Sequence, residues 1–428
     1  MSAHRLSLPA LRTMAVALLV PILCALAPAR ARADEPPPGA WLRRWVAEEP
    51  MAGNWLGTRD VLKGWGINPT VYYATDLQAS VAGGLRRGEA YAGQLNVEID
   101  ANLEKLAGLS GLRFDVSGAW SSGTDLSLDI GNTFTVAQYF EGRQVRLANM
   151  YFEQSLFDGR LALKAGRFST GSDFLTSPID FSFVNEALNP ILLAVQENVP
   201  GVTADPNVTW GGRVAVRPTP ALSLSAGAFY SDPTLNQLTA NGTEFGITSA
   251  AGYFVVGEVS YLVHAENNAP GLPGRYRLGG YYDSNQYVSL SNPGHQQTGN
   301  YGLYVMGEQM VFREGGPGSA QGLSLFGALI YTPTASINPL PWFGSAGASY
   351  RGLLPARDRD TAAFALYYGG FSRYLHGQTY ELVLEWTYLI ALGRRLTVQP
   401  DVQYVINPGG VSSVGNAVVL GAQVAIEF

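Results

Sequence analysis

The chain has 428 residues, of which 14% are charged against roughly a quarter in soluble domains, while its mean hydropathy is only +0.04. With 50 Gly, 22 Tyr and 18 Phe, it has neither the surface of a water-soluble domain nor the composition of a helical membrane protein. Its 28 Lys and Arg against 34 Asp and Glu form no dense basic patch, which excludes nucleic acid as a partner.

In chain order, residues 1–33 read as a cleaved secretory signal. Arg5 and Arg12 precede an apolar run from Met14 to Ala27, and Ala31-Arg32-Ala33 supplies a small-residue cleavage site. Leu23 stands before Cys24 where a lipoprotein signal needs a small residue, which argues against lipidation. Cleavage removes four of the 28 bases, no acid and the sole cysteine, so the exported chain is acidic and forms no disulfide. Residues 34–67 read as a stiff Asp-Glu-Pro-Pro-Pro linker followed by a periplasmic helical segment, Trp41 to Glu49 and Thr58 to Gly64. That segment is expected either to plug the pore partly or to pack on its rim.

From residue 68 to 428 the period is two. Leu95, Val97, Ile99 and Ala101 oppose Asn96, Glu98, Asp100 and Asn102, while Tyr380, Leu382, Leu384, Trp386 and Tyr388 oppose Glu381, Glu385 and Thr387. About sixteen such segments follow: 68–81, 92–104, 111–120, 144–157, 160–168, 209–218, 220–230, 253–264, 274–284, 299–313, 320–331, 342–350, 362–373, 378–392, 395–406 and 415–428. Connections after even-numbered strands are mostly short. Those after odd-numbered ones (82–91, 121–143, 169–208, 231–252, 285–298, 332–341) are mostly long. This asymmetry, the paired aromatics Tyr72-Tyr73, Tyr151-Phe152, Phe229-Tyr230, Tyr281-Tyr282 and Tyr367-Tyr368, and a last strand ending in Phe428 predict an all-β fold. The expected fold is a transmembrane antiparallel barrel with an aqueous lumen, in which Phe428 serves as the signal read by the barrel-assembly machinery.

At this point the residues match a family. NWLGTRDVLKGWGI (54–67), LFDGRLALKAGRFSTGSDF (156–174), GRYRLGGYYDS (274–284), YGLYVMGEQMVFRE (301–314) and YELVLEWTYLIALGRRLTVQPDVQYVINPGG (380–410) resemble the carbohydrate-selective porins of the OprB type. The resemblance covers nearly the whole mature length. It implies an outer-membrane channel for passive diffusion of monosaccharides such as glucose, with outer-membrane lipid and small polar solutes as partners and a monomeric or homotrimeric state. Polyols and small hydroxy or aromatic acids are the alternative cargo.

Selectivity is expected in the third external loop, 169–208, folded into the pore as in trimeric porins. Asp173, Phe174, Asp180, Phe181, Phe183, Asn185, Glu186 and Asn189 there supply flat rings for sugar faces and polar groups for vicinal hydroxyls. Arg113, Arg146, Lys164 and Arg167 border it and are the preferred solute-binding cations. Strand phase turns Glu98, Asp100, Asp115, Arg213, Glu258, Arg275, Arg277, Glu381, Glu385 and Asp401 into the lumen, since a base on the lipid face costs about 2–4 kcal/mol. His264, His295 and His376 lack metal-ligand spacing, and no Walker loop, G-x-S-x-G or H-E-x-x-H is present, so neither a metal, a cofactor nor an enzymatic activity is expected. The rival readings are a channel for anionic acids, a barrel-borne hydrolase and a soluble β-sandwich or lectin.

Overall fold

The structure is a computed structural model. It describes residues 54–428 apart from 140–141, 189–190 and 265–270. The signal, the linker, the first expected helix and Asn189 lie outside the described residues.

Helix α1 (Thr58–Trp65) leads into sixteen strands: β1 (Ile67–Gly84), β2 (Gly88–Asn102), β3 (Leu112–Gly123), β4 (Val145–Leu156), β5 (Leu161–Phe168), β6 (Thr209–Val216), β7 (Leu222–Ser231) and β8 (Gly252–Val263). There follow β9 (Gly274–Val288), β10 (Gln296–Arg313), β11 (Gly322–Tyr331), β12 (Trp342–Arg351), β13 (Thr361–Gly370), β14 (Tyr380–Leu392), β15 (Leu396–Ile406) and β16 (Gly415–Glu427). Each pairs antiparallel with its sequence neighbours, and β16 pairs with β1, Tyr72 opposite Glu427, to close the barrel.

Closure leaves no unpaired strand edge, which is what allows a β-sheet to stand in hydrocarbon. Alternation decides which side chains meet lipid. Val97, Ile99, Leu278, Leu303, Trp386, Val402 and Leu420 are exposed outside, while Asp115, Glu258, Glu381, Glu385 and Asp401 are buried within. Aromatic side chains band the outer wall. Tyr331 stacks on Trp342 at 4.1 Å and Tyr368 on Tyr380 at 5.8 Å toward the end carrying the long connections, and Phe114 meets Phe152 at 4.8 Å toward the end carrying both termini. Adjacent residues face opposite sides, so only one of each expected aromatic pair joins a band. Tyr281, Tyr367 and Phe229 are buried inside, whereas Tyr282, Tyr368 and Phe152 are exposed.

Two boundaries differ from the alternation reading. The first hairpin has a connection of residues 85–87 rather than 82–91, because β1 and β2 continue past their apolar runs with Ser80 opposite Gly88. Strand β2 stops at Asn102, whose side chain accepts from Lys105 N at 3.0 Å and caps a short helix, Leu103–Ala107.

Helix α1 packs against the β1–β16 seam. The buried Arg59 donates from Nη1 to Phe428 O at 2.9 Å and from Nη2 to Pro69 O at 3.3 Å, with Trp55 over the guanidinium at 5.2 Å. Phe428 N in turn donates to Val71 O at 2.8 Å. These bonds fasten the described part of the segment to the ends of β1 and β16.

Candidate functional site

The lumen is organised by the connection 169–208, which runs from β5 to β6 and meets inward-facing groups on many other strands. Near its start, Asp173 accepts from Lys164 Nζ at 2.9 Å and lies 3.4 Å from Arg213 Nε. Further on, Arg277 donates to Thr176 O, and Ser177 Oγ donates to Glu308 Oε2 at 2.7 Å. On the far wall, Val184 N donates to Glu385 Oε1 at 2.6 Å, Asn185 Nδ2 to Gln403 Oε1 at 2.8 Å, and Gln399 Nε2 to Ser182 O at 2.8 Å. Asn198 Nδ2 reaches Thr332 Oγ1 at 2.9 Å. A segment so far from water must find partners for its own backbone, and the wall supplies them.

Apolar contacts complete the docking. Phe174 and Phe168 meet Phe229 edge-on at 6.2 and 5.3 Å, and Phe183 meets Phe326 at 5.4 Å and Tyr367 at 6.3 Å. The barrel thus holds a hydrophobic core inside its long-connection end. The connection between β3 and β4 joins it. Phe134 N and Thr133 N donate to Glu381 at 2.7 and 2.8 Å, Gln403 Nε2 to Val136 O at 2.9 Å, and Phe134 packs on Phe343 at 5.5 Å. Sequence reading passed over this second inward segment. Its one signal is the apolar group Phe134, Val136 and Ala137, unusual for an external loop.

The candidate side chains fall into distinct groups. Lys164, Arg213 and Asp173 cluster with Glu153, which lies 3.3 Å from Arg213 Nη2, and Lys164 Nζ also sits 4.0 Å over the Tyr151 ring. Arg146 is buried on the same side. Arg277 Nε is 3.8 Å from Glu258, whose other oxygen accepts from Tyr304 OH at 2.9 Å. Glu381 and Glu385 are spent on loop amides, and Asp401 accepts from Gln403 Nε2 at 2.8 Å. Glu98 is exposed on the inner face, and Asp115 is buried two strand positions from Arg113. Glu186 N donates to Thr135 O at 2.9 Å, which ties the two inward segments together.

Four preferred solute-binding residues stand elsewhere. Phe174 is wholly buried against Phe229 and offers no ring face, whereas Phe181 is 57% exposed. Asn185 is wholly buried, its amide consumed by Gln403 and Phe134 O. Arg113 sits toward the terminal end, closed on Asp100 at 2.6 Å. Arg167 is opposite Met150 and Trp210, on the outer face that Leu163 and Val214 share. There its guanidinium lies 5.6 Å from Trp210 and 4.9 Å from Phe245, and donates to Glu244 O. It pins the connection 232–251 to the outside of the wall, where Leu147 N also donates to Asn241 O at 2.9 Å. Alternation counted from Lys164 indicates this face, because 164 and 167 differ by an odd number.

Three acids of the 169–208 connection are held toward their neutral forms. Burial raises Asp180 well above the ordinary carboxylate range, raises Glu197 to about 7 and, with help from Glu98, raises Asp205 to about 6.

A closed barrel with an apolar, aromatic-banded exterior and charged groups along its inner wall is an outer-membrane diffusion channel. The chain belongs to the carbohydrate-selective porin, OprB family, whose pattern matches residues 86–428. It is similar to Porin B of Pseudomonas aeruginosa, 27% identical over 424 residues that span 88% of this chain and 91% of that one. It is also similar to the putative porin QuiX of Acinetobacter baylyi, 24% identical over 90% of this chain and 93% of that one. The structure of Pseudomonas putida OprB at high pH superposes with a TM-score of 0.82 at 27% identity, covering 89% of this chain and 99% of that one.

Proposed function

We propose that the channel admits neutral monosaccharides of glucose size to the periplasm by passive diffusion, without catalysis, and that residues 169–208 form its constriction. The observation that carries this reading is the pairing of charge along the lumen. Lys164 and Arg213 face Asp173 and Glu153, Arg277 faces Glu258, and Arg275 faces Glu308. Balanced pairs present donors and acceptors together, which suits hydroxyls, and they offer no net field to draw an anion. The exposed ring of Phe181 adds a flat apolar surface for a pyranose face. Residues 1–33 would direct export and be removed after Ala33.

Liposome swelling tests the cargo. Glucose is expected to enter faster than a disaccharide and faster than lactate or benzoate. Entry of the acids ahead of glucose would overturn the sugar reading in favour of an organic-acid channel.

A further inference from the structure

Most of the cations that face the lumen already have close partners: Lys164 and Arg213 share Asp173, and Arg277 is taken by Thr176 O and Glu258. Arg275 differs. Among the described residues its guanidinium donates no hydrogen bond to protein, and its facing carboxylate, Glu308 Oε1, stands 3.9 Å from Nε. The other oxygen of Glu308 accepts from Ser177 Oγ at 2.7 Å, so the long connection holds the carboxylate by one side and leaves Oε1 facing Arg275.

The pair lines a cavity of about 430 Å3 beneath that connection, between it and the terminal ends of β8 to β11, with Ile179, Leu262 and Met310 as apolar wall. That volume lies in the range of small-ligand pockets, about 300–1,000 Å3. A guanidinium with unspent N–H groups beside a carboxylate with a free oxygen both donates and accepts over a span of one hydroxyl pair. Each vicinal hydroxyl of a sugar can do the same. A carboxylate solute only accepts, and the fixed charge of Glu308 beside Arg275 opposes it, the other arginine on the cavity wall, Arg313, already donating to Gly271 O at 3.0 Å.

We propose that Arg275 and Glu308, positioned by Ser177, form a second solute station on the periplasmic side of the constriction, gripping adjacent hydroxyls of a neutral sugar or polyol as it leaves. This rests on the sugar reading above and adds a site to it.

The test uses the full-length protein in planar bilayers, with glucose added on the periplasmic side and block of the ion current as the readout. R275Q and E308Q are each expected to raise the half-blocking glucose concentration about tenfold, as loss of a charge-assisted hydrogen bond does. E308Q should in addition make the channel sensitive to lactate. S177A should weaken block less, and S177T should restore it, which a merely structural role for Ser177 would not produce. Retention of heat-modifiable mobility checks folding, and E308Q with S177A carries the test if R275Q fails to fold. Glucose block of wild type with an unchanged half-blocking concentration in R275Q and E308Q overturns the station alone. Absence of glucose block in wild type overturns the sugar reading and the station with it.

Discussion

At the scale of single residues, the strongest constraints are charges used to hold backbone. Glu385 accepts from two loop amides and from Tyr367 OH at 2.6 Å. E385A would leave three buried donors unmet, at about 1–3 kcal/mol each. It is expected to loosen the 169–208 connection, which single-channel recording would register as higher and noisier conductance with the barrel still heat-modifiable. R59A removes the two bonds from α1 to the seam and is expected to cost about 2 kcal/mol, read as a lower temperature for loss of the fast-migrating band. Sequence phase finds the inward acids readily. It does not find their partners, because a strand's alternation says which side a carboxylate faces and nothing of which loop descends to meet it. Phe174 and Asn185 show the limit. Their residue types suit sugar binding, but each is buried by neighbours more than forty residues distant in sequence.

At the scale of elements, the 169–208 connection combines tight docking with acids that burial disfavours when charged. Glu197 at about 7 and Asp205 at about 6 bind protons in the docked state that a solvated carboxylate near 4 has released. The docked form therefore gains most below about pH 4, and the advantage is lost as pH rises through 6 to 7. Conductance is expected to increase between pH 5 and 8, and E197Q should flatten that dependence. A conductance that falls over the same range would contradict this account. The strands were legible as elements because lipid on one side and water or loop on the other impose a strict period of two. The inward course of 124–139 is not legible, since Phe134 and Val136 within a loop are too few to set a period. Strand β5 is legible, yet Arg167, expected beside the loop as a solute-binding cation, stands on the outer face, an odd number of residues from the inward Lys164.

For the whole molecule, stability depends on what each face meets. Val402, midway along β15 and 40% exposed on the outside, should tolerate Arg poorly, with a loss of about 2–4 kcal/mol in denaturant titration from lipid vesicles. Strand number and closure were legible because sixteen alternating segments separated by connections of unequal length admit few other arrangements. The registers that bring Arg275 opposite Glu308, or Glu385 opposite Gln403, were not, because a barrel's shear is set by packing around the full circuit. The seam under α1 has a further consequence. Since β16 is paired with β1 from Tyr72 to Gly84, each strand has a partner on either side, and continuity of the wall does not depend on continuity of the chain. A single proteolytic nick in the external 232–251 connection should yield two fragments on a denaturing gel while the nicked protein in vesicles still conducts as one pore.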